Sequence, residues 1–521
     1  MRLLSDLLGF AVRQNGAKKT LFQGGRELSY KQASQRLRGL AAGLHRLGIK
    51  PGDHIGILAM NCIEYWESYF AVHYAGVVLA PLNVRLSPAE LKFIAQDGRL
   101  RALIVGPEFL PLVQSLVAGC PELEHVILIG SDNESGPIGY DWLISRAEPL
   151  EVALRDWSED DLINLCYTGG TTGLPKGVML SQRNVVSNAR HVVQTHGLCV
   201  DDTWLHIAPL FHLADAWACY SFAMVGGRQV FAPSFSPQVF LETVQERRVT
   251  TTILVPAMVN FLLNYPQAAE YDSSSLRLLL VGGAPMPVDR ILATRELFGS
   301  VLCQAYGMTE TSPLLTSQRL EWLEYASEQG RRRLASCGKA VDGVAIRLVG
   351  ADESEPPIGE CGELAAKGPN VMLGYWNQRE QTKAVLRDGW MHTGDVAYRD
   401  EEGYYFIVDR AKDMIISGGE NVYSTEVESA LYDHPGVLEA AVIGIPHDDW
   451  GEQVHAFVVL RPGSETTEDD LFRHCHERIA GFKCPRSFTF SEDPLPKSGP
   501  GKILKNALRD PFWEDRDRKV N

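Results

Sequence analysis

The chain has 521 residues, of which 45% are hydrophobic and 22% charged; these are ordinary globular proportions in a chain too long for one hydrophobic core. Its 65 acidic residues outnumber the 50 basic ones, and the formal charge of −15 would repel a polyanion over most of the surface, which argues against a nucleic-acid partner. The ten cysteines include no CxxC pair and are too dilute for a disulfide framework, so they predict a reducing, cytoplasmic location.

The N-terminal segment MRLLSDLLGFAVRQNG predicts an amphipathic helix. Asp6 interrupts its apolar stretch, so the segment lacks the apolar region of a signal peptide. Its leucines can pack in the core or touch a membrane surface, and core packing is the favoured interpretation. These leucines are Leu3, Leu4, Leu7 and Leu8. No apolar stretch reaches the ~18 residues that a membrane-spanning helix needs, so no integral membrane segment is expected.

Short apolar runs separated by helical patterns follow along the chain. Between Leu28 and Met60 the pattern predicts a strand, a helix closed by Gly48 and a second strand, arranged as a crossover unit. Similar runs favour parallel sheets with helices on both faces, which is a doubly wound α/β architecture. The runs lie at residues 102–105, 126–129, 251–255 and 278–281.

Residues 167–177 read YTGGTTGLPKG and predict a phosphate-binding loop. Glycines let backbone N–H groups converge on an anion without a Cβ clash, and the threonine hydroxyls and Lys176 add donors and charge. Because Gly177 rather than a hydroxyl residue follows the lysine, the segment differs from the GxxxxGK[ST] loop. A buried strand before the loop and a helix from Ser181 are expected, in the order strand, loop, helix. The candidate phosphate contacts are Thr168, Gly169, Gly170, Thr171, Thr172, Gly173 and Lys176.

The sequence pattern changes after about Ser336, where segments typical of short strands alternate with turns rich in Gly, Pro and acidic residues. This pattern predicts a small antiparallel unit or barrel. Beyond residue 410 helical and strand patterns alternate again, which predicts a separate C-terminal domain. The expected domains are therefore residues 1–410 and 411–521.

Five segments, taken together, resemble the adenylate-forming superfamily, which includes acyl-CoA synthetases, peptide-synthetase adenylation domains and firefly luciferase. They are YTGGTTGLPKG, YGMTE at 306–310, HTGD at 392–395, DRAKDMIISGGENV at 409–422 and PKSGPGK at 496–502. The resemblance covers nearly the whole chain. It implies a large N-terminal AMP-binding domain of two doubly wound α/β subdomains with a small β-barrel-like unit, and a small mobile α+β C-terminal domain hinged near Lys412.

The resemblance also implies an ATP-dependent acyl-CoA ligase. A carboxylate attacks the α-phosphate of ATP, pyrophosphate leaves, and the thiol of coenzyme A takes the acyl group from the adenylate. Catalysis then depends on alignment and charge neutralisation rather than on a covalent side chain. In this pattern Lys502 bridges the carboxylate and α-phosphate, Thr309 donates to the same groups, and Glu310 is the Mg²⁺ ligand. His212 would lie at the mouth of the acyl pocket, with a buried core histidine as the alternative.

Further contacts are implied for the nucleotide and for coenzyme A. Tyr306 would stack on adenine, Gly283 and Ala284 would approach its other face, and a carboxylate is well suited to the ribose diol. The implied nucleotide contacts are Gly283, Ala284, Tyr306, Gly307, Met308, Asp395 and Arg410. The implied coenzyme A contacts are Gly418, Gly419 and Lys483.

The predicted acyl pocket is mostly apolar, with Trp217, Met224, Met258 and Ala305 as its lining. Ala305 stands where relatives frequently have glycine, which would narrow the pocket. The expected substrate is a fatty, small thioether-bearing or aromatic monocarboxylate.

Three other functions stay open at this point: loading of a separate carrier protein, a luciferase-like oxygenase, and a nucleotide sensor without catalysis. The expected partners are the acid, ATP and coenzyme A, and the sequence leaves a homodimer open.

Overall fold

A computed structural model describes residues 1–133, 136–168, 175–323, 327–350, 352–410, 413–417, 420–447, 450–497 and 503–514. The chain divides into two compact units. The first comprises Met1–Ala345 and Ala366–Met391, and the second comprises Ile346–Ala365 and His392–Asn521. Residues 346–365 and 392–410 therefore belong to the second unit. The domain boundary that the sequence predicts at residue 410 stays a prediction.

The first unit contains a nine-stranded sheet within the described residues. Its central strands are parallel, and antiparallel strands flank them on both edges. Side by side, the strands are Lys339–Ala340, Leu314–Arg319, Leu302–Gly307, Leu278–Val281, Thr251–Leu254, Thr203–His206, Arg228–Phe231, Lys19–Gln23 and Arg26–Ser29. Parallel strands end at the same edge of a sheet, so the loops that follow them gather there.

A second sheet of the first unit has eight strands in the described part of the chain. In spatial order they are Gly374–Tyr375, Lys176–Ser181, Leu162–Thr168, Val78–Pro81, His54–Leu58, Leu100–Val105, His125–Leu128 and Ile138–Gly139. One face packs on a core shared with the nine-stranded sheet. The other face packs on Leu91, Ile94 and Leu116 from two helices. The sheet is thus covered on both sides, which confirms the predicted doubly wound α/β class.

The described helices of the first unit pack between and around its two sheets. They are Leu4–Asn15, Tyr30–Arg46, Ile63–Ala75, Pro88–Asp97, Leu110–Gly119, Tyr140–Ser145, Gln182–His196, Leu213–Val225, Pro237–Arg247, Pro256–Leu263, Val288–Phe298, Glu328–Arg333 and Arg379–Val385. Leu4, Leu7 and Leu8 of the first helix are fully buried, which confirms core packing for that segment. Across the described ranges, no helix combines the length and hydropathy that a bilayer crossing requires.

Two local expectations were wrong. The strand and helix predicted after Leu28 exist, but Arg26–Ser29 belongs to the nine-stranded sheet and His54–Leu58 to the eight-stranded one. The helix between them therefore joins two sheets instead of crossing over one. The glycine loop is also followed by a strand, Lys176–Ser181, before the helix capped by Ser181 begins. Its pairing with Leu162–Thr168 makes a hairpin that the sequence pattern did not reveal.

The second unit contains two sheets. One, which corresponds to the predicted small β unit, comprises Gly362–Lys367, Trp390–Arg399 and Tyr405–Arg410 together with Ala345–Val349. The other comprises Ile415–Ser417, Glu420–Val422, Val437–His447, Gly451–Leu460 and Ser487–Phe490. The helices of this unit are Ser424–Tyr432, Glu468–His476 and Lys505–Arg509.

A buried contact between a histidine and an aspartate anchors one helix of the first unit to the nine-stranded sheet. His206 Nδ1 lies 2.8 Å from Asp215 Oδ1, and both side chains are inaccessible to solvent. Trp204 Nε1 donates to the same oxygen at 2.8 Å. Because Asp215 lies in the first turn of helix Leu213–Val225, the pair fixes where that helix starts.

The other ring nitrogen of His206 continues the network. His206 Nε2 lies 2.9 Å from Gln229 Oε1, and Gln229 Nε2 donates to the Tyr30 hydroxyl at 3.0 Å. Tyr30 in turn donates to the Gly227 carbonyl at 2.7 Å. Because the Gln229 oxygen can only accept, His206 donates from Nε2.

We expect Asp215→Asn to lower the free energy of unfolding by about 1–3 kcal/mol, because it replaces the buried carboxylate that contacts His206 and leaves a buried polar group unsatisfied. Chemical denaturation of wild type and variant measures the change. Asp272→Asn, which removes the carboxylate of an exposed pair with Arg248, is the control and should leave the unfolding midpoint unchanged. Equal, small effects of the two substitutions would contradict the structural role assigned to the buried pair.

Candidate active site

The glycine loop is carried by the hairpin of strands Leu162–Thr168 and Lys176–Ser181. Thr168 and Lys176 are register partners at the end of this hairpin that adjoins the connecting loop. Gly169, Gly170, Thr171, Thr172 and Gly173 lie outside the described residues. The structure therefore places the first and last predicted phosphate contacts directly opposite one another.

The hairpin is anchored beside helix Pro88–Asp97. The Tyr167 hydroxyl donates to Asp97 Oδ2 at 2.6 Å, and Trp376 Nε1 donates to the Asp97 carbonyl at 2.9 Å. Burial and the neighbouring Asp97 raise the pKa of Tyr167, so this hydroxyl stays a donor. The strand that leads into the loop therefore has a fixed position.

Glu310 and Lys176 meet at the side chain of Tyr375. The Tyr375 hydroxyl donates to Glu310 Oε1 at 2.8 Å, and the Lys176 ammonium nitrogen lies 5.4 Å from the centroid of the same ring. The Met372 N–H donates to the Glu310 carbonyl at 2.8 Å. The structure thus brings together the predicted metal ligand and the predicted phosphate-binding lysine.

The turn that carries Thr309 and Glu310 follows strand Leu302–Gly307, which includes Tyr306. A Cβ at Gly307 would lie 1.8 Å from the Pro313 carbonyl oxygen, so only glycine fits there. Met308 N–H donates to the same oxygen at 3.1 Å. This closed turn places Thr309 next to the buried Glu310.

Gly283 and Ala284 follow the neighbouring parallel strand, Leu278–Val281. Gly283 has a φ of +83°, which favours glycine. A Cβ at the preceding Gly282 would lie 2.7 Å from the Ala305 carbonyl oxygen, so the two strand ends approach closely. The segment predicted for the adenine is therefore adjacent to the strand that ends in Tyr306.

His212 immediately precedes helix Leu213–Val225 and is half-buried. Its Nε2 atom is buried without a hydrogen-bond partner in the described part of the structure. Burial, with a smaller contribution from Arg85, lowers the pKa of His212 to about 4. The imidazole is therefore neutral at pH 7. An unpartnered buried nitrogen costs about 1–3 kcal/mol, which a bound ligand or water would offset.

Two of the predicted acyl-pocket residues share the helix that His212 begins. Trp217 and Met224 are both buried on Leu213–Val225. The Trp217 ring meets Trp204 edge-on at 4.8 Å, and its Nε1 donates to the Ala214 carbonyl at 2.7 Å. Met258, on helix Pro256–Leu263, and Ala305 are half-buried.

In the second unit, Asp395 and Arg410 are register partners on antiparallel strands. Asp395 is buried. Glu363 contacts the residues just before it: one carboxylate oxygen accepts from the Gly394 N–H at 3.0 Å, and the other lies 2.7 Å from His392 Nδ1. The two residues predicted for the ribose are thus neighbours along the sheet.

The predicted coenzyme A residues also fall in this unit. Lys483 Nζ lies 2.7 and 2.8 Å from the two carboxylate oxygens of Glu426, so its charge is engaged by a protein group. Gly418, Gly419 and the predicted catalytic Lys502 lie outside the described residues, as does Lys412 at the predicted hinge.

Known families match almost the entire chain. A model described as AMP-binding enzyme covers residues 10–376, and one described as AMP-binding enzyme C-terminal domain covers residues 426–502. The chain belongs to the AMP-binding enzyme family. This confirms the resemblance to the adenylate-forming superfamily and the expectation of a large N-terminal and a small C-terminal domain.

Several relatives of this AMP-binding enzyme are named as acyl-CoA synthases or CoA ligases. It is 41% identical over 493 residues to a feruloyl-CoA synthase from Amycolatopsis sp, covering 94% of this chain and 95% of the relative. It is 36% identical over 497 residues to a long-chain-fatty-acid–CoA ligase from Thermus thermophilus, covering 93% and 90%. The anthranilate CoA ligase AuaEII, solved in complex with anthranoyl-AMP, matches with a TM-score of 0.88 at 30% identity, covering 98% of this chain and 97% of that one. The predicted class, an AMP-forming acyl-CoA synthetase, is confirmed.

Sequence reasoning missed Tyr375, although this residue contacts both Lys176 and Glu310. It lies in GYWNQ, whose glycine and two aromatic residues were an available signal. Reasoning from the sequence also missed Asn61, whose Nδ2 donates to the Ala208 carbonyl at 2.8 Å and whose Oδ1 accepts from the Leu210 N–H at 2.8 Å. These bonds stabilise the loop before His212, and no sequence pattern marks a contact over such a separation.

Because the His212 imidazole is buried in this AMP-binding enzyme, we expect the stability difference between wild type and a His212 variant to depend on pH. Below its ordinary pKa of 6.5 the unfolded chain binds a proton that the folded imidazole, with a pKa of about 4, does not, so acid favours unfolding. His212→Gln removes this titration. We therefore expect the melting temperature of wild type minus that of the variant to fall between pH 7 and pH 4.5 and to stay constant above pH 7.

Differential scanning fluorimetry over a pH series measures this difference. His45→Gln, at an exposed site, is the control for the loss of a histidine. A pH-independent difference for His212→Gln would mean that the imidazole titrates alike in the folded and unfolded chain.

Proposed function

We propose that this acyl-CoA synthetase activates an aromatic monocarboxylic acid, using ATP and Mg²⁺, and transfers the aroyl or arylacryloyl group to coenzyme A. The observation that carries the proposal is that helix Leu213–Val225 holds two residues of the predicted acyl pocket, Trp217 and Met224, both buried, with the only polar atom of the Trp217 ring bonded to Ala214. Such a lining suits a flat apolar acid. The feruloyl-CoA synthase at 41% identity and the anthranoyl-AMP complex support the same substrate class.

In the first half-reaction, a carboxylate oxygen of the acid forms a bond to the α-phosphorus of ATP, and the bond from that phosphorus to the bridging oxygen breaks, releasing pyrophosphate. Both reactants are anions, so alignment and positive charge must lower the barrier. We assign Lys176, Thr168 and the glycine loop to the β- and γ-phosphates. Thr309 and Lys502 are assigned to the α-phosphate and carboxylate, and His212 donates from neutral Nε2–H to the carboxylate.

Glu310 is suited to hold Mg²⁺. Magnesium takes oxygen ligands and commonly binds through one or two carboxylates together with substrate phosphates. Glu310 supplies one buried carboxylate, and no group of three or more metal-binding side chains occurs among the described residues. This arrangement fits a shared protein and nucleotide site better than an all-protein one. When bound, the ion neutralises phosphate charge.

In the second half-reaction, the coenzyme A sulfur attacks the acyl carbon, and the carbon–oxygen bond to AMP breaks. We propose that residues 411–521 turn about Lys412 between the half-reactions, so that Gly418 and Gly419 replace Lys502 at the site. Asp395 and Arg410 are assigned to the ribose. Lys483 would exchange Glu426 for a coenzyme A phosphate, since both partners are anions.

A panel of acids tests the proposal. Pyrophosphate release should be fastest with cinnamic- and benzoic-type acids and slower with saturated fatty acids, and sustained turnover should require coenzyme A. Preference for long-chain fatty acids would contradict the substrate class. Acylation of a phosphopantetheinyl protein, oxygen consumption, or ATP binding without turnover would instead support the carrier-loading, oxygenase or sensor alternatives.

The remaining expectations concern the cell. Ten free cysteines, all within the described residues, support a reducing, cytoplasmic compartment. A homodimer stays a prediction, which light scattering of the purified protein tests directly.

We predict that Lys502→Ala lowers the rate of adenylation by about 100-fold or more, because it removes a cation at the point where charge develops. The rate of thioester formation from a chemically prepared acyl-adenylate should change by less than about threefold, since that step does not use Lys502. Quenched-flow assays of the two half-reactions measure both rates. Lys497→Ala, on the same segment but paired with Glu439, is the control and should affect neither. Equal losses in both half-reactions would contradict the assignment.

A further inference from the structure

We propose that Tyr375 is a positioning residue. Its hydroxyl orients the Glu310 carboxylate toward the metal, and its ring positions the Lys176 ammonium to bind pyrophosphate. This inference rests on the proposed roles of Glu310 and Lys176. In this proposal one side chain, that of Tyr375, fixes the position of the metal ligand Glu310 relative to the phosphate-binding Lys176.

The hydroxyl of Tyr375 directs one oxygen of Glu310. The donor–acceptor distance is 2.8 Å, and Tyr375 is only 7% exposed. A tyrosine hydroxyl is a neutral donor, so it fixes the position of the carboxylate without adding a positive charge beside it, as a lysine or an arginine would.

The ring of Tyr375 contacts the cation on the other side. Lys176 Nζ lies 5.4 Å from the ring centroid, within the range of a cation–π interaction. This contact restricts a long, flexible side chain without supplying a counter-ion. The ring therefore limits the positions that the ammonium can take.

The backbone around Tyr375 is fixed from three directions. Its N–H donates to Thr382 Oγ1 at 2.9 Å, and it is the register partner of Val178 on the loop-bearing hairpin. The next N–H, of Trp376, donates to the Gly177 carbonyl at 2.7 Å. Because Met372 bonds the Glu310 backbone, the segment bridges the hairpin and the metal-ligand turn. Such rigid support is what a residue that orients a metal ligand requires.

Two substitutions separate the hydroxyl from the ring. Tyr375→Phe removes only the hydrogen bond to Glu310. We expect it to raise the Mg²⁺ concentration for half-maximal adenylation by about tenfold or more, as for other outer-shell changes, with turnover at saturating Mg²⁺ within about threefold of wild type. Tyr375→Leu removes the ring as well and should also weaken inhibition by added pyrophosphate, whereas the phenylalanine variant should not.

Mn²⁺ binding in the presence of a non-hydrolysable ATP analogue, followed by electron paramagnetic resonance, provides a readout independent of turnover. The dissociation constant of Mn²⁺ should rise by a similar factor in Tyr375→Phe. The matched control is Tyr140→Phe, which removes another buried tyrosine-to-carboxylate bond, 2.9 Å to Glu67 Oε2, and should leave metal affinity unchanged. Melting temperatures of all variants identify any that fail to fold.

Glu310→Gln distinguishes the two levels of the proposal. If it weakens metal binding while Tyr375→Phe behaves like the Tyr140→Phe control, the positioning role of Tyr375 is wrong and the metal role of Glu310 stands. If Glu310→Gln leaves metal binding unchanged, the metal assignment fails and the role of Tyr375 fails with it. Weaker metal binding in both variants, reversed by saturating Mg²⁺ in Tyr375→Phe, supports the proposal.

Discussion

The geometry around Lys176 and Glu310, which we assign to phosphate and metal binding, depends on the short strand Gly374–Tyr375. This strand pairs with Lys176–Ser181, the second strand of the hairpin that carries the glycine loop. This pairing brings a segment from near residue 375 against Lys176 and, through the Tyr375 hydroxyl and Met372 N–H, against Glu310. Three stretches that are distant in sequence are thereby fixed to one another. A one-residue slip of this register would turn Tyr375 to the opposite face of the sheet.

A second constraint is the common edge at which the parallel strands of the nine-stranded sheet end. Gly283 and Ala284, the turn after Tyr306, and His212 all follow strands of this sheet, so topology alone places them on one side of the first unit. Local devices then set each segment. Gly307 permits a backbone approach that any Cβ would block, and the His206–Asp215 pair determines where the helix after His212 begins.

Two of the groups that we assign to ligands contact uncharged parts of other side chains, and a third is itself neutral. Glu310 accepts a bond from a neutral hydroxyl, Lys176 lies over an aromatic ring, and the His212 imidazole is held neutral by burial. We assign these groups to a metal ion, a phosphate and the carboxylate of the acid. Lys483 differs, because Glu426 already neutralises it, so binding an anion there requires an exchange of partners.

The sequence by itself determined the α/β class and the family, and it predicted the phosphate loop and the metal-ligand turn, because glycine, threonine and charged residues at fixed local spacing report backbone conformation and chemistry within one segment. Only the tertiary structure decided that the strands around helix Tyr30–Arg46 lie in different sheets, that a strand follows the glycine loop, and that Tyr375 joins Lys176 to Glu310. Strand pairing and side-chain contacts between distant segments depend on the packing of the whole sheet, and one sequence carries no local periodic signal for them.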